Sequence, residues 1–162
     1  MAFINYVTQI QFEFGAVQLL RQECDRVGIT RPLIVTDPGV KAAGVLQKAL
    51  DALPGLPLAV FDQTPANPTE AAVRAAVAVY KAQGCDGLIA VGGGSAIDCA
   101  KGIAIAATHE GSLTHYATIV GGPPRPSEPP APVIAVPTPS GTGSEAARRA
   151  IFHVADHRKL GL

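Results

Sequence analysis

A chain of 162 residues is enough for one domain and short for two of ordinary size. Hydrophobic residues make up 48% and charged residues 16%, a balance that supports a sizeable core and excludes a disordered chain. The 13 Lys and Arg balance the 13 Asp and Glu, so no basic field points to nucleic acid or to a membrane surface, and no apolar run reaches the roughly 20 residues of a membrane span.

The first 15 residues, MAFINYVTQIQFEFG, lack the cationic, apolar and small-residue succession of a signal peptide. Cys24, Cys85 and Cys99 are odd in number and widely spaced. They read as reduced, core-filling thiols of a cytoplasmic protein.

Two patterns then alternate. Helical spacing runs over 16–27 and closes at Gly28. A short apolar run, PLIVTD at 32–37, reads as a buried strand. Helical spacing returns over 40–53, followed by Pro-Gly, and a second strand-like run, LPLAVFD, covers 56–62. The third helix is expected over 68–83. Asn67 is placed to cap it, Pro68 suits the first helical position, and Glu70 stands three residues after the cap. Val73, Ala76, Val77 and Tyr80 fall on one face.

The run GLIAVGGG at 87–94 reads as a third strand, and 95–108 as a fourth helix. Segment 121–132, GGPPRPSEPPAP, is half proline and reads as stiff, extended loop. The run PVIAVPT at 132–138 is a fourth strand. The tail RRAIFHVADHRKLGL reads as a β-hairpin whose second strand is barely begun where the sequence stops. Such alternation predicts an α/β fold: a Rossmann-like parallel sheet with helices on both faces, ending in a truncated hairpin. Ligands of such sheets bind at the carboxyl ends of the strands, which singles out Asp37, Asp62, 92–95 and 138–144.

The stretch VGGGSAIDCAKG carries the sharpest question. A glycine turn opening a helix offers free N–H groups and the positive end of the helix dipole to a phosphate. Yet Ile97 breaks G-x-G-x-x-G, and Ile97 with Asp98 breaks the P-loop pattern. A structural turn explains the same residues: Ser95 caps the helix, Asp98 completes a capping-box-like pair, and Lys101 pairs with Asp98 on the surface. The two readings are compatible, and Asp98 is expected to point away from any bound pyrophosphate. A second glycine segment, GTGSEA at 141–146, matches G-x-G-x-x-A but lacks the helix, strand and acidic residue that should follow it.

Taken together and in order, LIVTDPGVKAAG, NPTE, VGGGSAIDCAKGIA and PTPSGTGSEA resemble the iron-containing (group III) alcohol dehydrogenases. The likeness runs over nearly the whole chain, and GGGSxxDxxK followed by PTxxGTGSE is its most specific part. It implies that 1–162 is a nicotinamide dinucleotide-binding N-terminal domain, dehydroquinate synthase-like in fold. A helical domain carrying Fe2+ or Zn2+ on one aspartate and three histidines is then expected outside this chain, and the chain by itself is expected to be inactive.

By the same resemblance, Asp37 bonds the adenosine ribose and favours NAD over NADP. Asn67 touches the cofactor, and Gly92, Gly93, Gly94 and Ser95 cradle its pyrophosphate. Thr138 and Thr142 belong to the loop over its ends, and Lys159 reaches it from above. No catalytic or metal-binding residue is assigned: none of His109, His115, His153 and His157 falls in a family ligand motif. His153 and His157 are four apart, but on a hairpin that spacing does not give them a shared face.

The resemblance implies a small alcohol or aldehyde substrate and a possible homodimer, with no nucleic-acid or membrane partner. The chain departs from the family pattern at Pro139, where a threonine is common, and at Ala146 and Ala147. A related dehydrogenase of the glycerol or maleylacetate type, or a non-catalytic nucleotide-binding module, are the alternative readings.

Overall fold

The computed structural model describes residues 2–5, 8–117, 128–139, 141–147, 150–153 and 159–161. Its centre is a four-stranded parallel sheet made of β3 (Pro32–Val35), β4 (Ala59–Phe61), β5 (Gly87–Gly92) and β6 (Val133–Pro137), in the order β4-β3-β5-β6. Two small antiparallel pairs flank it in sequence. They are β1 (Ala2–Asn5) with β2 (Gln9–Phe12), and β7 (Ile151–His153) with β8 (Lys159–Gly161).

The two central strands are buried along their whole length, as a parallel strand covered on both faces must be. Alternation splits their side chains between two cores. Leu33, Val35, Leu88 and Ala90 face Val73, Ala76 and Val77 of α4 (Glu70–Ala82) and Ile97, Ala100 and Ile103 of α5 (Gly94–Thr108). Ile34, Ile89 and Val91 face Leu20 and Cys24 of α1 (Leu20–Val27) and Leu46 and Ala49 of α3 (Val45–Asp51). Leu33, Ile34, Leu88 and Ile89 are each 0% exposed, and each such side chain contributes about 1.5–3 kcal/mol by leaving water. The expected α/β sheet with helices on both faces is therefore present, as is the terminal hairpin. All three cysteines are free and buried, and burial pushes the thiols of Cys24 and Cys99 up to about 11.

Three expectations change, and one element is new. The helix over 16–27 begins as a 3-10 turn, Ala16–Leu19, before α1. The helix over 40–53 is two helices, α2 (Pro38–Ala42) and α3, parted by Gly44 at φ 72. The third helix starts at Glu70, and its cap is Thr69, whose Oγ1 accepts the Ala72 N–H at 3.2 Å. The β1–β2 hairpin has no counterpart in the sequence reading. Most of the proline-rich segment lies outside the described residues, and its described end, 128–132, is loop.

Candidate functional site at the sheet switch point

The strand order reverses between β3 and β5. The chain leaves β3 toward β4 on one side, then crosses over to β5 and β6 on the other. In open α/β sheets the two loops leaving such a pair of strands diverge, and a crevice opens at their carboxyl ends. Thr36 locks the two strands together there: its hydroxyl, 0% exposed, donates to Val91 O at 2.7 Å.

One wall of the crevice is the turn from β5 to α5. Gly92 has φ 155, and a Cβ on it would stand 2.7 Å from Ala96 Cβ and 3.3 Å from Asp37 Oδ2. Only glycine fits this close approach. Gly93 is the cap residue of α5 and has no side chain to offer. The first bond inside the helix is Ile97 N–H to Gly93 O at 3.2 Å, so the N–H groups of Gly94, Ser95 and Ala96 have no acceptor within it. The positive end of a 15-residue helix is thus left open at the crevice. Ser95 does not cap α5; its Oγ accepts the N–H of Asn67 at 3.1 Å.

The other wall is the turn from β3 to α2. Asp37 is the cap of α2, and its Oδ1 accepts the Val40 N–H at 3.0 Å. Four residues on, Lys41 Nζ donates to Asp62 Oδ2 at 2.5 Å, tying α2 to the end of β4. That hydrogen bond lowers the Asp62 carboxyl below its ordinary value of 3.8. Asn67 follows directly on Ala66 of the cavity wall, and its N–H donates to Ser95 Oγ. It is the one non-glycine residue with positive φ, at 56, among the described residues, and it does not cap α4.

A cavity of about 520 Å³ lies between these walls, within the range of small-molecule sites. Asp37 and Val40 line one side, Gly93 and Ser95 the other. Thr64, Pro65, Ala66, Thr138 and Pro139 also line it.

The segment 138–147 folds back over the start of α5. Thr138 N–H donates to Gly92 O at 3.0 Å, and a Cβ on Gly94 would meet Ser144 Oγ at 3.1 Å and Thr142 Cβ at 3.4 Å. Lys101 anchors this segment: its Nζ donates to Ser144 O at 2.5 Å and Ala147 O at 2.7 Å. Asp98 Oδ1 stands 3.7 Å from the same ammonium, with the two side chains only 10% and 17% exposed.

The expected surface pair is therefore a half-buried anchor. Burial raises the Asp98 carboxyl and lowers the Lys101 ammonium, each against the charge of the other. Asp98 sits beneath the segment and is not among the residues that line the cavity.

A family model described as iron-containing alcohol dehydrogenase matches residues 7–162. The chain belongs to the iron-containing alcohol dehydrogenase family. It is 66% identical to 4-hydroxybutyrate dehydrogenase of Cupriavidus necator over 161 residues, which is 99% of this chain and 42% of that protein. The fold matches a crystal structure of 1,3-propanediol oxidoreductase at TM-score 0.83 and 38% identity, over 90% of this chain and 38% of that one. It matches NADH-dependent butanol dehydrogenase A of Thermotoga maritima at TM-score 0.85 and 29% identity, over 98% and 40%. The chain thus spans about two fifths of the length of these family members.

Of the residues that the family pattern singles out, Asp37, Gly93, Ser95 and Thr138 line the cavity. Gly92 lies behind Asp37, Gly94 lies under Thr142, and Asn67 is hydrogen-bonded to Ser95. Lys159 stands at the head of β8 opposite His153, whose N–H donates to Pro68 O at 2.8 Å, and the Lys159 side chain lies outside the described residues.

The lining from Thr64, Pro65 and Ala66 had no motif of its own, and its place after a parallel strand was the only signal. For the family's metal, no group of three or more His, Cys, Asp or Glu among the described residues is placed to hold an ion. No step is assigned to a metal in this chain. His157 lies outside the described residues. No helix among the described residues is long and apolar enough to cross a membrane.

Proposed function

We propose that this chain binds NAD as the cofactor-binding part of an iron- or zinc-dependent alcohol dehydrogenase. Such an enzyme moves a hydride between a small alcohol or aldehyde and the dinucleotide. The observation that carries the reading is the uncapped N-terminus of α5 opening into the switch-point cavity, with a carboxylate on the facing wall.

Several residues of the chain suit a bound dinucleotide. The N–H groups after Gly93 suit the pyrophosphate, because they have no acceptor within the helix and lie at its positive end. Gly92 and Gly94 leave room where a side chain would fill it. Asp37 suits the adenosine ribose: Oδ1 is held by Val40, which leaves Oδ2 facing the cavity wall at Gly92. Thr138, Thr142 and Asn67 are assigned as further contacts, and Lys159 as a residue of the facing hairpin. The nicotinamide, when bound, supplies the carbon that accepts or returns the hydride. The residues of this chain bind and orient that carrier.

The divalent metal, and the residues that hold it, belong in this reading to a helical domain outside the chain. The 66% identity to a 4-hydroxybutyrate dehydrogenase favours a short primary alcohol as substrate. A cytoplasmic homodimer is the assembly we favour. Phe12 and Phe14 are 70% and 108% exposed beside a two-stranded hairpin, and such hairpins are marginal without a partner surface.

Titration of NAD+ and NADP+ into wild type and Asp37→Gly tests the assignment. Wild type is expected to prefer NAD+, and the variant to lose about tenfold of that preference, since the carboxylate that repels a 2′-phosphate is gone. An unchanged ratio would remove Asp37 from the ribose site.

A further inference from the structure

The Lys41–Asp62 ion pair lies at the cavity rim, and the dinucleotide reading gives it no part. Lys41 follows Val40 of the lining, and Asp62 precedes Thr64. The pair therefore bridges the α2 wall and the β4 wall of the same cavity. Its position relative to Asp37 follows from the fold. Lys41 N–H donates to Asp37 O at 3.1 Å, so Lys41 lies one helical turn beyond the Asp37 cap. Thr36 N–H donates to Phe61 O at 2.9 Å, so Asp62 comes off β4 level with the residue just before Asp37. The Lys41 ammonium and the Asp62 carboxylate thus meet at the carboxyl ends of β3 and β4, one helical turn from Asp37.

That composition matters for the adenosine end of a dinucleotide. A carboxylate at this place accepts from a ribose 2′-hydroxyl, whereas a cation accommodates a 2′-phosphate. Lys41 is a cation of the second kind, one helical turn from Asp37. Its ammonium is held instead by Asp62, with side chains 59% and 30% exposed.

We propose that Asp62 is a specificity-determining residue: it sequesters Lys41 and adds its own negative charge, so that the cavity rejects a 2′-phosphorylated dinucleotide. This rests on the dinucleotide reading above. It differs from the role of Asp37 in that Asp62 acts by withholding a cation rather than by touching the ribose. An exposed pair of this kind adds at most about 1 kcal/mol to stability, so Asp62→Asn keeps the fold.

The test is titration of NAD+ and NADP+ into wild type, Asp62→Asn and the double variant Asp62→Asn with Lys41→Met, at low and at high salt. Asp62→Asn is expected to bind NADP+ about fivefold more tightly, the scale of freeing one rim cation for a partly solvated phosphate, with NAD+ changed by less than about twofold. The gain shrinks at high salt, because rim charges are screened. The double variant restores the wild-type ratio.

An NADP+ affinity that does not move, or that moves together with NAD+, overturns the role of Asp62. A gain that survives loss of Lys41 overturns the sequestered cation. Failure of wild type to bind NAD+ at all overturns the dinucleotide reading and this inference with it. NAD+ binding with an unmoved NADP+ affinity overturns the inference alone.

Discussion

Two strand-to-helix turns face each other across the switch point, and they solve the same problem in opposite ways. Each leaves a central strand and opens a helix whose first N–H groups need acceptors. At α2 the chain supplies its own acceptor, Asp37, which takes the Val40 N–H. At α5 the cap is Gly93, and nothing from its side chain satisfies the helix. Length sharpens the contrast, since α2 has 5 residues and α5 has 15. A helix start already satisfied by a carboxylate is a poor anion seat, whereas an open one is a good seat. One wall therefore repels negative charge and the other attracts it. A dinucleotide placed between them is oriented with hydroxyls toward Asp37 and phosphates toward α5.

The largest effect is expected where the two turns touch. Gly92→Val would drive its Cβ into Ala96 and toward Asp37. The overpacking and the strained φ should cost about 3 kcal/mol of stability, read by urea denaturation. A loss below about 1 kcal/mol would mean that the two turns are not packed as described.

The next effect separates the open wall from the fold. Gly94→Val crowds Thr142 and Ser144 and should weaken NADH binding tenfold or more, followed by nucleotide fluorescence, while the buried sheet stays intact.

The smallest effects separate cap from charge on the closed wall. Asp37→Ala should lose about 1 kcal/mol of thermal stability, and Asp37→Asn nearly none, because asparagine caps as well as aspartate. Both should relax discrimination against NADP+. Thr69→Ala, which removes the cap of α4, should lose a similar 1 kcal/mol or so and leave both dinucleotides unaffected.

The sheet was legible because its signals are local. Runs such as LIAV are short, apolar and bounded by glycine or proline, and each became a strand within a few residues of its expected ends. The glycine turn was legible for the same reason. What escaped was decided at long range. Asn67 and Thr69 are both good capping residues, and sequence spacing favoured Asn67. In the fold Ser95, 28 residues away, takes the Asn67 N–H and Thr69 caps instead. Asp98 and Lys101 look like a solvated helix pair until the segment 141–147 covers them and its carbonyls accept from the ammonium. Gly44 is tolerable in a helix by composition alone, and its left-handed φ is what parts α2 from α3.

The most direct measurement is a crystal structure of the protein with NAD+ bound. The account predicts pyrophosphate oxygens at hydrogen-bond distance from the N–H groups of Gly94 and Ser95, with ribose hydroxyls on Asp37. A dinucleotide seated elsewhere, or one that leaves the start of α5 untouched, would contradict it.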